Sequence, residues 1–197
     1  MEDVSKCPTQ ELLAELIGKQ NASALYKDSL RALFGVAEGI GGYGGRGEKR
    51  ARRKLAIARE LVTRSLAEEL PKREIFADPA LVRNYLRLVF APLEREVFAC
   101  LFLDARHHLI RFEVLFQGTL DSATVHPREV VKMALRLNAG AVILAHNHPS
   151  GVSEPSQADR VLTRRMADAL ALIEVRVLDH LVMGEENGVS FAERGWL

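Results

Sequence analysis

Cysteine is scarce: Cys7 and Cys100 are the only two, far apart and outside any C-x-x-C spacing. That excludes a disulfide framework and a C-x-x-C site. Cys100 lies in an apolar, strand-like run and reads as a small buried thiol. Long apolar runs are missing too. None approaches the roughly 18 residues of a membrane span, and no secretory leader pattern opens the chain. The expectation is a soluble, cytoplasmic protein without membrane contact. Neither sign of charge is in excess, with 27 Lys and Arg against 26 Asp and Glu. This excludes a chain committed along its whole length to nucleic acid. The asymmetry is local: Arg46, Lys49, Arg50, Arg52, Arg53 and Lys54 are opposed only by Glu48.

What is present is ample material for a core, 48% hydrophobic residues in a chain of 197. That length suits one large domain, or a compact domain with a small helical one. Residues 8–34 read as helical, with Leu12, Leu13, Leu16 and Ile17, then Leu25, Leu30, Leu33 and Phe34, at spacings of three and four. Residues 35–47 hold seven glycines and read as a loop. Residues 48–70 form a second helical run, with Leu55, Ile57, Ala58, Leu61, Val62 and Leu66 as its apolar stripe. Pro71 breaks that run and sets the expected boundary, a helical segment over 1–70 and a second domain over 71–197.

In the second domain, residues 78–90 read as a helix opened by Asp78-Pro79. Residues 97–104 read as a strand and 109–116 as its antiparallel partner, with Ile110, Phe112, Val114 and Phe116 alternating against Arg111 and Glu113. His107-His108 falls in the turn between them, where adjacent side chains diverge and meet solvent. Residues 125–138 are an amphipathic helix, 141–145 a buried strand, 156–172 a helix, 175–183 a strand and 189–191 a short edge strand. Strands separated by helices after an opening hairpin predict an α/β fold, a mixed β-sheet flanked by helices behind a small helical N-terminal segment.

The chemistry concentrates after residue 145. His146 and His148 alternate along a strand end and can present both imidazoles to one point. Pro149, Ser150, Gly151 and Pro155 force a loop. Asp159 then falls in the first turn of the next helix, where the dipole favours a carboxylate. Two nitrogens and one oxygen leave the fourth corner of a zinc tetrahedron open, the catalytic pattern. Each residue also has an ordinary reading: a half-buried strand histidine, a turn, a Ser156–Asp159 helix cap. The combination is harder to explain that way, since it spells H-x-H-P, six residues, S-x-x-D.

That combination resembles the signature of the JAMM (MPN) metal-dependent hydrolases, whose fold is cytidine-deaminase-like. Phe116-Gln117-Gly118-Thr119-Leu120, Val125-His126-Pro127-Arg128-Glu129-Val130 and Asp179-His180-Leu181-Val182-Met183-Gly184 resemble the bacterial RadC-like branch, from roughly Phe76 to the C-terminus. The resemblance implies that His146, His148 and Asp159 bind zinc and that Ser156 steadies an oxyanion. It implies a metallopeptidase or isopeptidase acting on a protein or peptide. It also implies a glutamate base at the start of the first sheet strand, before the hairpin, a position Glu96 matches. Glu94 is its out-of-register neighbour, and Glu113 on the next strand is the competitor. His126 and His180 lack ligand spacing and are read as structural.

The RadC-like branch often carries a DNA-gripping helix-hairpin-helix before its catalytic domain. Residues 12–18 and Gly39-Ile40-Gly41 resemble its remnants, although Gly42-Tyr43-Gly44-Gly45 delay the second helix. DNA contact through residues 46–54 is therefore an expectation, as is the DNA-repair role attached to this branch. Two other readings stand beside the hydrolase. A zinc deaminase would carry P-C-x-x-C, which is absent here, and a DNA-associated module could use the zinc loop only structurally. No feature specifies an oligomeric state.

Overall fold

The computed structural model describes residues 7–25, 46–70, 79–91, 93–118, 125–184 and 188–197. The chain divides into two compact units, Met1–Ser65 and Leu66–Leu197. Among the described residues no helix is long and apolar enough to cross a membrane.

In the first unit α1 (Thr9–Ile17) and α2 (Lys19–Leu25) are two helices, where the periodicity predicted one. Gly18 separates them at φ 89°, a conformation that favours glycine, and its N–H caps α1 on the Ala14 carbonyl. The rest of that run, residues 26–34, and the Gly39-Ile40-Gly41 hairpin lie outside the described residues. Helix α3 (Arg46–Glu69), whose residues 46–65 fall in this unit, begins two residues earlier than the sequence suggests, taking in Arg46 and Gly47. Leu13, Ile17, Ala22 and Leu25 bury with Ala51 and Leu55 of α3. Ile57, Leu61 and Val62, assigned to the apolar stripe of α3, are instead exposed. Buried Ala51, Leu55 and Arg59 define a narrower face than the count of apolar residues implied.

The second unit is a five-stranded sheet in the order β2-β1-β3-β4-β5, flanked by helices. Its strands are β1 (Val97–Leu103), β2 (Leu109–Gln117), β3 (Ala141–Asn147), β4 (Arg176–Met183) and β5 (Val189–Ser190). β1 runs antiparallel to β2 and β3, β3 parallel to β4, and β4 antiparallel to β5. The mixed α/β architecture is the one the pattern of elements predicts. β1 and β3 are buried at every position, as strands covered on both faces must be. On one face Ala99, Leu101, Ile143 and Ala145 pack against Val82, Tyr85, Leu86 and Phe90 of α4 (Pro79–Phe90), with Leu66, Ala67 and Leu70 alongside. On the other, Phe98, Cys100, Phe102, Val142 and Leu144 meet Val130 and Ala134 of α5 (Pro127–Leu137) and Met166 and Leu170 of α6 (Gln157–Ala171). Cys100 is the fully buried thiol expected.

The alternation predicted for β2 does not survive. Phe98 pairs with Phe116 but Ala99 with Val114, and Phe102 with Arg111 but Leu103 with Leu109. Leu115 and Ile110 are thus extra residues, and each bulge flips the faces beyond it. Phe112 therefore packs edge-on against Tyr85 on the α4 face, its ring centroid 5.4 Å away, while Phe116 packs on Phe98 on the opposite face. Ile110 and Val114 are left exposed.

Leu144 is fully buried between β1 and the α5–α6 layer. Leu144→Ala should cost about 2–5 kcal/mol, the range for core leucines, read as a lowered urea midpoint with an unchanged slope. A loss under about 1 kcal/mol would mean that this layer is not a packed core.

Candidate metal centre

His146 is the penultimate residue of β3, on the face that carries Val142 and Leu144, and this points it at α6. The histidine two residues on leaves the strand but stays anchored, because the N–H of His148 donates to the Met183 carbonyl at 2.8 Å. Helix α6 starts beneath both rings. Ser156 is its N-cap in a capping box: the Asp159 N–H donates to Ser156 Oγ at 3.2 Å, and the Ser156 N–H donates to Asp159 Oδ2 at 2.7 Å. Three side chains from two elements therefore converge. His146 Nε2 and His148 Nε2 lie 2.9 Å apart, with Asp159 Oδ1 3.5 Å from the first and Oδ2 3.8 Å from the second. All three potential ligand atoms fall within 4.8 Å of one another.

This donor set fits a divalent cation. His148 Nδ1 is 2.7 Å from the Val152 carbonyl, which can only accept, so the proton of the neutral ring sits on Nδ1 and Nε2 is bare. That bare Nε2 faces the His146 ring nitrogen and the Asp159 carboxylate, an acceptor-rich cluster that a divalent cation would fit. A second proton on His146, making the ring cationic, is disfavoured. Burial lowers that group's pKa from 6.5 to about 4, with His148 pushing the same way, and the pull of Asp159 does not overcome them. Two imidazole nitrogens and one carboxylate oxygen with a side left open form the three-ligand set of catalytic zinc sites.

The loop between His148 and Ser156 is held from two sides. Gly184 runs so close that a Cβ there would collide with the Gly151 carbonyl and lie 2.7 Å from the Ser153 nitrogen. Glu154 accepts two hydrogen bonds from Arg194, at 2.6 and 2.7 Å, which hold its carboxyl below the usual range. The Arg160 guanidinium stacks 3.6 Å over Trp196 beside it.

Glu96 immediately precedes β1. Phe98 pairs with His146, which sets Glu96 beside the end of β3 from which His148 leaves. Burial raises its pKa; His148 lowers and Asp159 raises it more weakly, which places the carboxyl in electrostatic reach of both. Glu113 instead pairs with Cys100, four residues further along β1 and so roughly 13 Å away. Glu94 is exposed. The Ser156 hydroxyl gives its proton to Asp159 Oδ2 at 2.6 Å, so it orients the carboxylate here and would have to rotate to serve an oxyanion.

The other histidines fall elsewhere. His107 and His108 diverge, but neither is simply solvated: His107 Nε2 meets Arg176 at 2.8 Å, and His108 binds Asp104 through its N–H at 2.9 Å and its ring at 3.3 Å. His126 occupies the N-cap position of α5 without a side-chain cap, its ring edge-on to Phe116. His180 is not a ligand, yet it touches the site: His146 Nδ1 is 2.8 Å from its Nε2. Sequence reading also missed Thr163 and Asn147. Thr163 lies one helical turn after Asp159, a spacing that could have flagged it. Asn147, between the histidines, accepts from the Val97 N–H at 2.8 Å and donates to the Arg95 carbonyl at 3.1 Å, clamping the segment that bears Glu96.

A RadC-like JAB domain matches residues 76–196. The chain belongs to the RadC-like JAB family. Its relatives in that family include UPF0758 proteins of Leptothrix cholodnii, 58% identical over 74% of this chain, and of Ectopseudomonas mendocina, 56% identical over 73%. The chain spans 66% and 64% of those two proteins' lengths. A Vibrio cholerae UPF0758 protein is 52% identical over 89% of the chain and 80% of its own length. In this RadC-like JAB domain the Asp179–Gly184 segment supplies both the ring behind His146 and the close approach beneath the loop.

Burial of neutral His146 has a pH consequence. Between about pH 6.5 and 4 the unfolded imidazole takes up a proton that the folded one does not. Prepared without metal, the protein should therefore lose stability as pH falls through that window, by up to roughly 3 kcal/mol from this residue. Urea unfolding at pH 7 and 4.5 should show a larger loss for wild type than for His146→Asn; equal losses would refute the assignment.

Proposed function

We propose that this protein is a zinc-dependent amide hydrolase of the peptidase or isopeptidase type, acting on a protein or peptide in the cytoplasm. The observation that carries the reading is the convergence of His146, His148 and Asp159, with Glu96 two residues before the Phe98 that pairs with His146. His146, His148 and Asp159 would hold the zinc, which when bound supplies a Lewis acid and brings the pKa of a water to about 7. Glu96 is the base: its raised pKa suits a carboxyl that accepts a proton at neutral pH and returns it to the leaving nitrogen. The Ser156 hydroxyl, turned from Asp159, donates to the developing oxyanion. The thiols Cys7 and Cys100 are both free, which suits a reducing compartment.

Zinc content and cleavage separate these roles. His148→Ala should lower bound zinc from one per chain to none. Glu96→Gln should keep the zinc and slow cleavage of a susceptible peptide by about 100-fold or more. Zinc retained in the first variant, or full cleavage by the second, would defeat the assignment.

A DNA contact is the second reading, favoured by one observation. Arg46, Lys49, Arg50 and Arg53 are exposed at helical spacing on α3, whereas Arg52 is paired with Glu48 and Lys54 donates to the Leu16 carbonyl. Replacing the four by glutamine should abolish a salt-sensitive affinity for duplex DNA. Binding that survives the replacement would exclude this face.

A further inference from the structure

Behind His146 lies a buried pair that the proposed chemistry leaves unused, His180 on β4 and Thr163 on α6. The contacts form one line. Thr163 Oγ1 is 2.6 Å from the Asp159 main-chain carbonyl and 2.6 Å from His180 Nδ1; His180 Nε2 is 2.8 Å from His146 Nδ1. Phe191 stacks on the His180 ring at 4.8 Å and Phe98 meets it edge-on at 5.6 Å, so apolar groups close the space beside it.

The direction of each bond follows from counting protons. Thr163 has one proton and two near neighbours, and the Asp159 carbonyl can only accept. The hydroxyl must donate there, since two oxygens at 2.6 Å with no proton between them repel. It is then left to accept from His180, which places that ring's proton on Nδ1. A neutral imidazole has one N–H, so His180 Nε2 is an acceptor and takes the proton of His146 Nδ1. The Nε2 of His146 is thereby bare, and it is the nitrogen that faces His148 and Asp159. Were Thr163 to donate to His180 instead, every proton in the line would move over and His146 Nε2 would carry one, closing it to a cation.

We infer that Thr163 and His180 are positioning residues, a relay that keeps His146 Nε2 unprotonated and aimed at the metal. The inference rests on the metal-hydrolase reading of the same site. The relay also ties two ligands together. It starts from the backbone of Asp159 and ends on the ring of His146, so the helix and the strand that supply the ligands share one chain of hydrogen bonds. Orienting partners of this kind tune ligand geometry and basicity.

The test has two readouts. Nitrogen-15 NMR of the histidine-labelled, metal-free protein should show His146 and His180 both as the Nδ1–H tautomer. Zinc affinity, measured by competition with a chromophoric chelator, should weaken by about 10–100-fold in Thr163→Val and stay near wild type in Thr163→Ser, which keeps the hydroxyl. His180 found as the Nε2–H tautomer overturns the relay, as does a folded Thr163→Val that binds zinc as tightly as wild type. If Thr163→Val does not fold, the tautomers of the wild-type protein decide. A wild-type protein that binds no zinc defeats the hydrolase reading instead, and the tautomers still judge the relay.

Discussion

Two imidazoles and a carboxylate brought within 4.8 Å of one another, one of the rings buried, form a donor set that a cation fits. Much of the second unit serves to make that crowding tolerable. The sheet sets the histidines with β3 fully covered, so His146 has no water to turn to. The cap of α6 brings Asp159 in with its carboxylate already oriented by Ser156. Desolvation outweighs the attraction of Asp159, which holds the His146 pKa down and favours its neutral ring.

The segment Asp179–Gly184 shows how densely such a constraint is shared. The Asp179 carboxylate accepts from the His180 N–H, Ser190 Oγ and the Ala192 N–H, fixing the turn that carries Phe191. Phe191 in turn stacks on His180, the ring that backs His146. Met183 receives the His148 N–H, and Gly184 passes under the loop where no side chain would fit. Strand β4 thus acts as the scaffold of a site to which it contributes no ligand.

The candidate ligands are legible in the amino-acid order. H-x-H on a strand end and S-x-x-D at a helix start are local patterns, and local geometry alone aims the histidines together and places the carboxylate in a first turn. The order of strands and helices is equally readable, because burial on both faces writes continuous apolar runs into β1 and β3. What misleads is the treatment of periodicity as continuous. The helix predicted through Gly18 breaks there, and the alternation predicted in β2 is reset twice by bulges. A single inserted residue changes which face a strand presents without altering its composition.

The amino-acid sequence by itself determined the fold class and the three residues that converge, since each depends on neighbours a few positions away. Only the tertiary structure decided what surrounds them. That His180 stands behind His146, and that the Glu96 end of β1 lies beside the His146 end of β3, follow from pairing between segments 34 to 52 residues apart, whereas Thr163 reaches His180 because α6 packs on β4. Register between distant strands is set by how whole faces bury together, and no local spacing encodes it.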